Sequence, residues 1–217
     1  MPAASGLIAM GMAAATGFFL GRWRRIEHEL EGEAAVRQIL TANLKPPHYH
    51  VMNNLTLRSG DGTTQVDHVV VSRFGVFVIE SKHYQKCWIY GDEKSPTWTA
   101  VYFKRKHSFQ NPLRQNYKHE KTLTELLKDI LPPEHLHSFV TFTGSAEFKT
   151  KVPENVTHAF QLARKIQAHS RERLSQSQLE QCVGRLECQR LAISKKTDVE
   201  HVAYLNRKFG KLYKNDR

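Results

Sequence analysis

Two strand-like apolar runs joined by a short turn constrain this chain more than any other feature. They are Gln65-Val66-Asp67-His68-Val69-Val70-Val71 and Val76-Phe77-Val78-Ile79-Glu80-Ser81-Lys82, connected by Ser72-Arg73-Phe74-Gly75. Their β-branched and aromatic content marks both as strands, and the short connection makes them a hairpin. Side chains alternate along a strand, so Glu80 and Lys82 share one face. If Ser72 to Gly75 is a four-residue loop with Gly75 in a left-handed conformation, Val71 pairs with Val76, Val69 with Val78 and Asp67 with Glu80. Two carboxylates and an ammonium then converge at one end of a hairpin whose remaining positions are apolar. A three-residue loop with a bulge would shift the register by one and send the carboxylates to opposite faces.

Around this hairpin the remaining pattern is mixed. From Arg24 to Leu40 the apolar residues Ile26, Leu30, Ala34, Val36, Ile39 and Leu40 recur at helical spacing, with Gly32 a weak point. Tyr49 to Leu57 reads as a strand, ended by the turn signal Ser59-Gly60-Asp61-Gly62. A second hairpin is expected from Cys87 to Tyr90 and Thr97 to Phe103. Asn111-Pro112 opens a helix that runs to about Ile130, because Asn caps well and Pro suits the first helical position. His137 to Thr143 reads as a strand, Asn155 to Ser170 and Ser175 to Leu191 as helices, and Val202 to Phe209 as a possible short helix. The order α-β-β-β-(hairpin)-α-β-α-α implies an α/β layer arrangement with a mixed sheet.

The first twenty residues differ in kind. Ala3 to Leu20 carries no charge, and eighteen residues of helix span about 27 Å, slightly short of the hydrocarbon core. Arg22, Arg24 and Arg25 follow the apolar run and nothing basic precedes it, which argues against a cleaved signal peptide. The expectation is an uncleaved single-pass anchor, N-terminus outside and the remainder cytoplasmic; a buried Ala-rich helix is the alternative. Three parts follow: residues 1–25 as membrane anchor and basic flank, 26–145 as the core, and 146–217 as a helical extension with a basic tail.

A formal charge of +11 suits a polyanionic partner, either nucleic acid or an anionic membrane face. The three cysteines, Cys87, Cys182 and Cys188, lack the paired spacing of a disulfide framework or zinc ribbon. The pairs His48/His50 and His135/His137 have no carboxylate or cysteine at a matching offset. Lys86, Lys104, Arg105, Lys106, Arg114 and Lys118, interleaved with Trp88, Tyr102, Phe103 and Tyr117, suit a phosphate-backbone groove with stacking surfaces, or solvated strand edges guarded by charge.

The hairpin end carries the chemistry. Two close carboxylates ionise together only with a cation between them. Mg²⁺ takes oxygen ligands, keeps waters and substrate phosphate oxygens, and lowers the pKa of a bound water. Lys82 could orient that water or stabilise charge in the transition state. The competing reading is an ordinary ion pair at a strand end, worth about 1 kcal/mol or less.

Gly32-Glu33, Gln65-Val66-Asp67-His68, Gly75 through Lys82, Trp98 and Asn111-Pro112-Leu113-Arg114-Gln115-Asn116 with His119 together resemble the nuclease-related domain (NERD) family. The resemblance runs from about Leu30 to Leu127, and its specificity lies in the ordered set. That family belongs to the PD-(D/E)xK superfamily, so the resemblance implies a restriction-endonuclease-like αβββαβ core. It makes Asp67 and Glu80 metal ligands, Lys82 the catalytic lysine, Glu33 an added acidic ligand or water-orienting group, and Gln115 a helical polar residue facing the site. His68 falls on the opposite strand face from Asp67, in a packing or supporting role; Trp98 belongs to the core and Asn111 is an N-cap.

Together these readings lead to a membrane-tethered nuclease dependent on Mg²⁺ or Mn²⁺, acting on nucleic acid with DNA favoured over RNA. The alternatives are a non-catalytic nucleic-acid-binding or membrane-assembly module that keeps the fold, and a peripheral protein that binds anionic lipid.

Overall fold

A computed structural model describes residues 29–60 and 62–191 of the chain. The hairpin has the expected register, with Val71 opposite Val76, Val70 opposite Phe77, Val69 opposite Val78 and His68 opposite Ile79. Its turn is tighter than a four-residue loop, because Ser72 and Gly75 also pair and leave only Arg73 and Phe74 between them. The Ser72 hydroxyl closes this turn, accepting from the Phe74 N–H at 3.1 Å and donating to the Gly75 carbonyl at 3.0 Å. Gly75 has φ +146°, and a Cβ there would stand 2.9 Å from the His135 carbonyl oxygen. Glycine is therefore required on both conformational and steric grounds.

Strands are numbered in chain order. A five-stranded sheet has the order β1 (Tyr49–Ser59), β2 (Gly62–Ser72), β3 (Gly75–His83), β7 (Leu136–Thr143) and β9 (Val156–His158). The first three are antiparallel, whereas β3/β7 and β7/β9 are parallel. Parallel pairing needs a long crossover. Between β3 and β7 that crossover holds β4 (Trp88–Tyr90), β5 (Thr97–Tyr102), β6 (Arg105–Gln110) and helix α2 (Pro112–Leu127).

Helices cover both faces of the sheet. Val69, Val71, Val76 and Val78 pack against Leu123 and Leu127 of α2 and Leu179 and Leu186 of α4 (Gln176–Gln189). On the other face Val70, Phe77 and Ile79 meet Val36 and Leu40 of helix α1 (residues 29–43) and Leu162 and Ile166 of α3 (Ala159–Gln167). Burial on both faces explains why the hairpin strands are nearly continuous apolar runs rather than alternating ones. Each such side chain contributes about 1.5–3 kcal/mol on burial.

A second sheet, of order β6-β5-β4-β8 with β8 at Glu147–Phe148, lies beside the first. Ile89, Trp98 and Ala100 on its inner face share a core with Val140 and Phe142 of β7. Trp98 is fully buried, as expected, and stacks on Phe142 at 6.0 Å between ring centroids.

Several expectations are corrected. The second hairpin continues into a third strand, β6, whose exposed Lys- and His-bearing sequence gives no apolar alternation because it is a sheet edge. The segment expected to be helical from Asn155 begins instead as β9, where Val156 and Thr157 pair with Val140 and Thr141, and helix starts only at Ala159. The mixed sheet of the expected α/β arrangement is present, and the second hairpin belongs to a separate sheet. The single-pass membrane placement is also overturned: among the described residues no helix is long and apolar enough to cross a membrane. The apolar segment 3–20 on which it rested, like the expected short helix at 202–209, lies outside the described residues.

Candidate active site

Asp67 follows the strand alternation of Val69 and Val71, and Glu80 that of Val78 and Val76, which places both on the α2 side of the sheet. The paired register between β2 and β3 runs only as far as His68 and Ile79. On the other flank, β1 skips the pair that would join Asp67 to Asn54, and Asn54 has φ +53°. Asp67 thus stands where the ladder opens on both sides. Its side chain replaces the missing strand contact, with Oδ2 accepting from the Ser81 N–H at 2.8 Å and the Ser81 hydroxyl at 2.9 Å. Among the described residues Oδ1 has no hydrogen-bond donor.

Glu80 is only 1% exposed, and both its oxygens are engaged. The Lys82 ammonium donates to Oε1 at 2.5 Å and His119 Nε2 lies 3.1 Å from Oε2. An ionised carboxylate can only accept, so the His119 proton sits on Nε2. Nδ1 of the same ring meets the Thr64 hydroxyl of β2 at 2.8 Å. Lys82 also donates to Gln115 Oε1 at 3.0 Å. Gln115 and His119 are four residues apart on α2 and so share a helix face.

The placement of α2 follows from its first turn. The Asn111 side chain caps it by accepting from the Leu113 N–H at 3.0 Å, and its amide donates to the Ser95 carbonyl at 2.7 Å. One turn on, the buried Asn116 amide donates to the Phe139 carbonyl and Ser138 hydroxyl, both at 2.8 Å. These bonds fix the helix's rotation on the sheet, and with it the direction of Gln115 and His119.

Glu33 approaches from α1. Among the described residues it hydrogen-bonds to none of the others, yet its charge is felt at the site. Gly32 makes this approach possible: a Cβ at that position would lie 2.6 Å from His83 Cβ. The residue that looked like a helix weak point is where α1 passes too close to the end of β3 for a side chain.

The site's charges are interdependent. Burial, followed by the nearby Glu80 charge, pushes the Asp67 carboxyl well above the ordinary carboxylate range. Burial acts upward on Glu80 too, but the Lys82 ammonium and His119 outweigh it and hold that carboxyl low. Burial works against the charged form of Lys82, and Glu80 and Asp67 overcome it, raising its pKa. Burial and then Glu29 and Glu80 raise Glu33. An ionised Glu80 is thus compensated by Lys82, beside an Asp67 that resists ionisation unless a further cation lies close by.

A family model for the nuclease-related domain matches residues 28–143. This chain belongs to the NERD family. A Bacillus anthracis protein described only as uncharacterized is 34% identical over 182 residues, covering 83% of this chain and 84% of that one. No solved structure matches. The matched NERD region ends at Thr143, the last residue of β7, and so contains α1 through β7 and every residue of the site.

The NERD donor set fits a hard divalent cation. Asp67 and Glu80 supply carboxylate oxygens, one of them, Asp67 Oδ1, without a hydrogen-bond donor among the described residues, and Glu33 adds charge nearby. Among the described residues no three His, Cys, Asp or Glu side chains form a closed ligand cluster. Mg²⁺ does not need one, since it is commonly held by one or two carboxylates with waters and phosphate oxygens.

The sequence reading missed Ser81, Thr64 and His119 as members of this site. For His119 a signal was available, the four-residue helical offset from Gln115. Strand alternation turns Ser81 away from Glu80, and only the opening of the ladder lets it reach Asp67. His68, as expected, faces the opposite side, where its Nδ1 meets Asn53 Oδ1 at 2.7 Å.

Proposed function

We propose that this NERD protein is a metal-dependent nuclease that hydrolyses phosphodiester bonds in nucleic acid, with DNA as its substrate. The reading is carried by one observation: two carboxylates of opposite protonation tendency and a lysine gather where β2 and β3 separate. Asp67 and Glu80, with Glu33 as a third acidic group, would hold Mg²⁺ or Mn²⁺. The bound ion would supply Lewis-acid stabilisation of phosphate charge and a water of lowered pKa. Lys82, steadied by Gln115, puts a fixed positive charge where the phosphate becomes more negative as water attacks. His119 and Thr64 hold Glu80 in its orientation, and Ser81 holds Asp67 in its own.

Incubating the full chain with single- and double-stranded DNA and Mg²⁺ or Mn²⁺ tests this reading. Asp67→Ala and Lys82→Ala should each lower cleavage by about 100-fold or more. Cleavage that persists unchanged in both would remove the proposal. The engagement of both Glu80 oxygens favours a second reading, a non-catalytic nucleic-acid-binding module that keeps the fold. Metal-independent, salt-sensitive binding with no turnover would select it.

A further inference from the structure

The four-stranded sheet has one face in the core and one face open. On the open face Trp88 and Tyr90, two residues apart on β4, are 49% and 40% exposed. Cross-strand pairing sets them in two rows. Trp88 lies opposite Val101, which lies opposite Lys106, while Tyr90 lies opposite Thr99, which lies opposite Ser108. Thr97 and Gln110 extend the same face. Among these outward positions the only acid is Glu147, opposite Trp88 on β8, and it is paired with Lys149 at 2.7 Å. The Lys149 ammonium also lies 5.1 Å from the Trp88 ring centroid. Among the described residues no ion pair engages Lys106 or its neighbour Arg105.

Lysine alone would guard a strand edge, so the two exposed aromatic rings beside the unpaired Lys106 call for a further reason. We infer that the open face of this sheet binds single-stranded nucleic acid, with successive bases stacked on Trp88 and Tyr90 and the phosphates tracked by Lys106 and Lys149. Two residues along a strand separate the rings by about 6.6 Å, leaving room for a base on each. Stacking requires exposed base faces, which a single strand offers and a duplex does not. With Glu147 neutralised by Lys149, Lys106 leaves this face a net positive charge, complementary to a polyanion. The chain connects this platform directly to the candidate site, because β3 ends at His83 and β4 begins at Trp88.

This inference rests on nucleic acid as the substrate, but its test does not depend on turnover. Binding of fluorescein-labelled oligothymidylate and oligouridylate fifteen-mers to the full chain is measured by anisotropy in EDTA, where cleavage does not interfere. Trp88→Ala and Tyr90→Ala should each weaken binding about tenfold, with Trp88→Phe close to wild type. Lys106→Gln should make the salt dependence shallower. Unchanged melting temperatures would show that the surface substitutions leave the fold intact. Binding altered less than twofold by the Trp88→Ala/Tyr90→Ala double substitution overturns the inference even if the chain cleaves DNA. Equal affinity for a blunt duplex of the same length, or self-association abolished by the double substitution without any oligonucleotide binding, also overturns it. Stacking-dependent binding by a chain that cleaves nothing upholds it and removes only the catalytic proposal.

Discussion

Ser81 gives both its backbone N–H and its hydroxyl to a single oxygen of Asp67, Oδ2, at 2.8 and 2.9 Å. The pair forms where β2 and β3 stop pairing, so a side chain closes a gap that the backbone leaves open. Among the described residues it leaves the other Asp67 oxygen without a donor, on a strand rather than on a loop. Ser81→Ala removes one of the two donors and retains the other. A charge-assisted bond of this kind contributes on the order of 1.5–3 kcal/mol. Urea denaturation of Ser81→Ala should show a loss of about 1–2 kcal/mol, with any cleavage activity reduced but not abolished.

Lys82 and Glu80 form a buried pair, and removing one partner strands the other. Lys82→Met should therefore destabilise the protein by about 3 kcal/mol, because Glu80 keeps its charge at 1% exposure with, among the described residues, His119 alone hydrogen-bonded to it. Combining it with Glu80→Gln should recover more than half of that loss, since no buried charge remains. Equal, additive losses in denaturant titrations of the two single variants and the double variant would show that the pair is not coupled.

Two glycines in helices have opposite expected responses to alanine. At Gly32 the added Cβ would sit 2.6 Å from His83 Cβ, so Gly32→Ala should force α1 off β3 and cost about 1–3 kcal/mol despite better helix propensity. At Gly184 in α4 a Cβ would meet nothing within 4 Å. Gly184→Ala should stabilise by about 0.5–1 kcal/mol. Thermal melting of the two variants side by side checks the contrast.

His137 sits between Phe77 and His169, with ring centroids 5.2 and 4.2 Å away. Burial, then His169, His135 and Arg173, lower its pKa from 6.5 to about 4. The folded state therefore resists protonation more than the unfolded chain does. The associated stability is complete above pH 6.5 and is lost as pH falls from 6.5 toward 4. Allowing for partial exposure, the loss is about 2 kcal/mol. His137→Gln should flatten this part of the stability profile, as read from denaturation midpoints at pH 7 and pH 4.5.

Metal binding is expected to compete with protons at Asp67, whose carboxyl is held well above its usual range by burial and Glu80. A rise in melting temperature on adding Mn²⁺ at pH 8 should shrink as pH is lowered, and Asp67→Asn should abolish it. A shift that is the same in Asp67→Asn would assign the ion to some other set of ligands.

The sequence by itself determined the hairpin and the common face of Glu80 and Lys82, because strand alternation is a local property of consecutive residues; it left the register, and with it the face of Asp67, to a turn length that the structure decided. The Asn111 cap fixed where α2 begins for the same reason, and α2's helical periodicity carried Gln115. Only the tertiary structure decided what those residues do to one another. Ser81 reaches Asp67 because β2 and β3 part beyond His68 and Ile79, and His119 reaches Glu80 because Asn116 ties α2 to β7. The third strand of the second sheet and the β9 start of the segment before α3 were hidden because an edge strand or a three-residue strand owes its form to its neighbours. Local patterns specify backbone geometry and side-chain direction; contacts between segments tens of residues apart arise from packing, which no single stretch of sequence records.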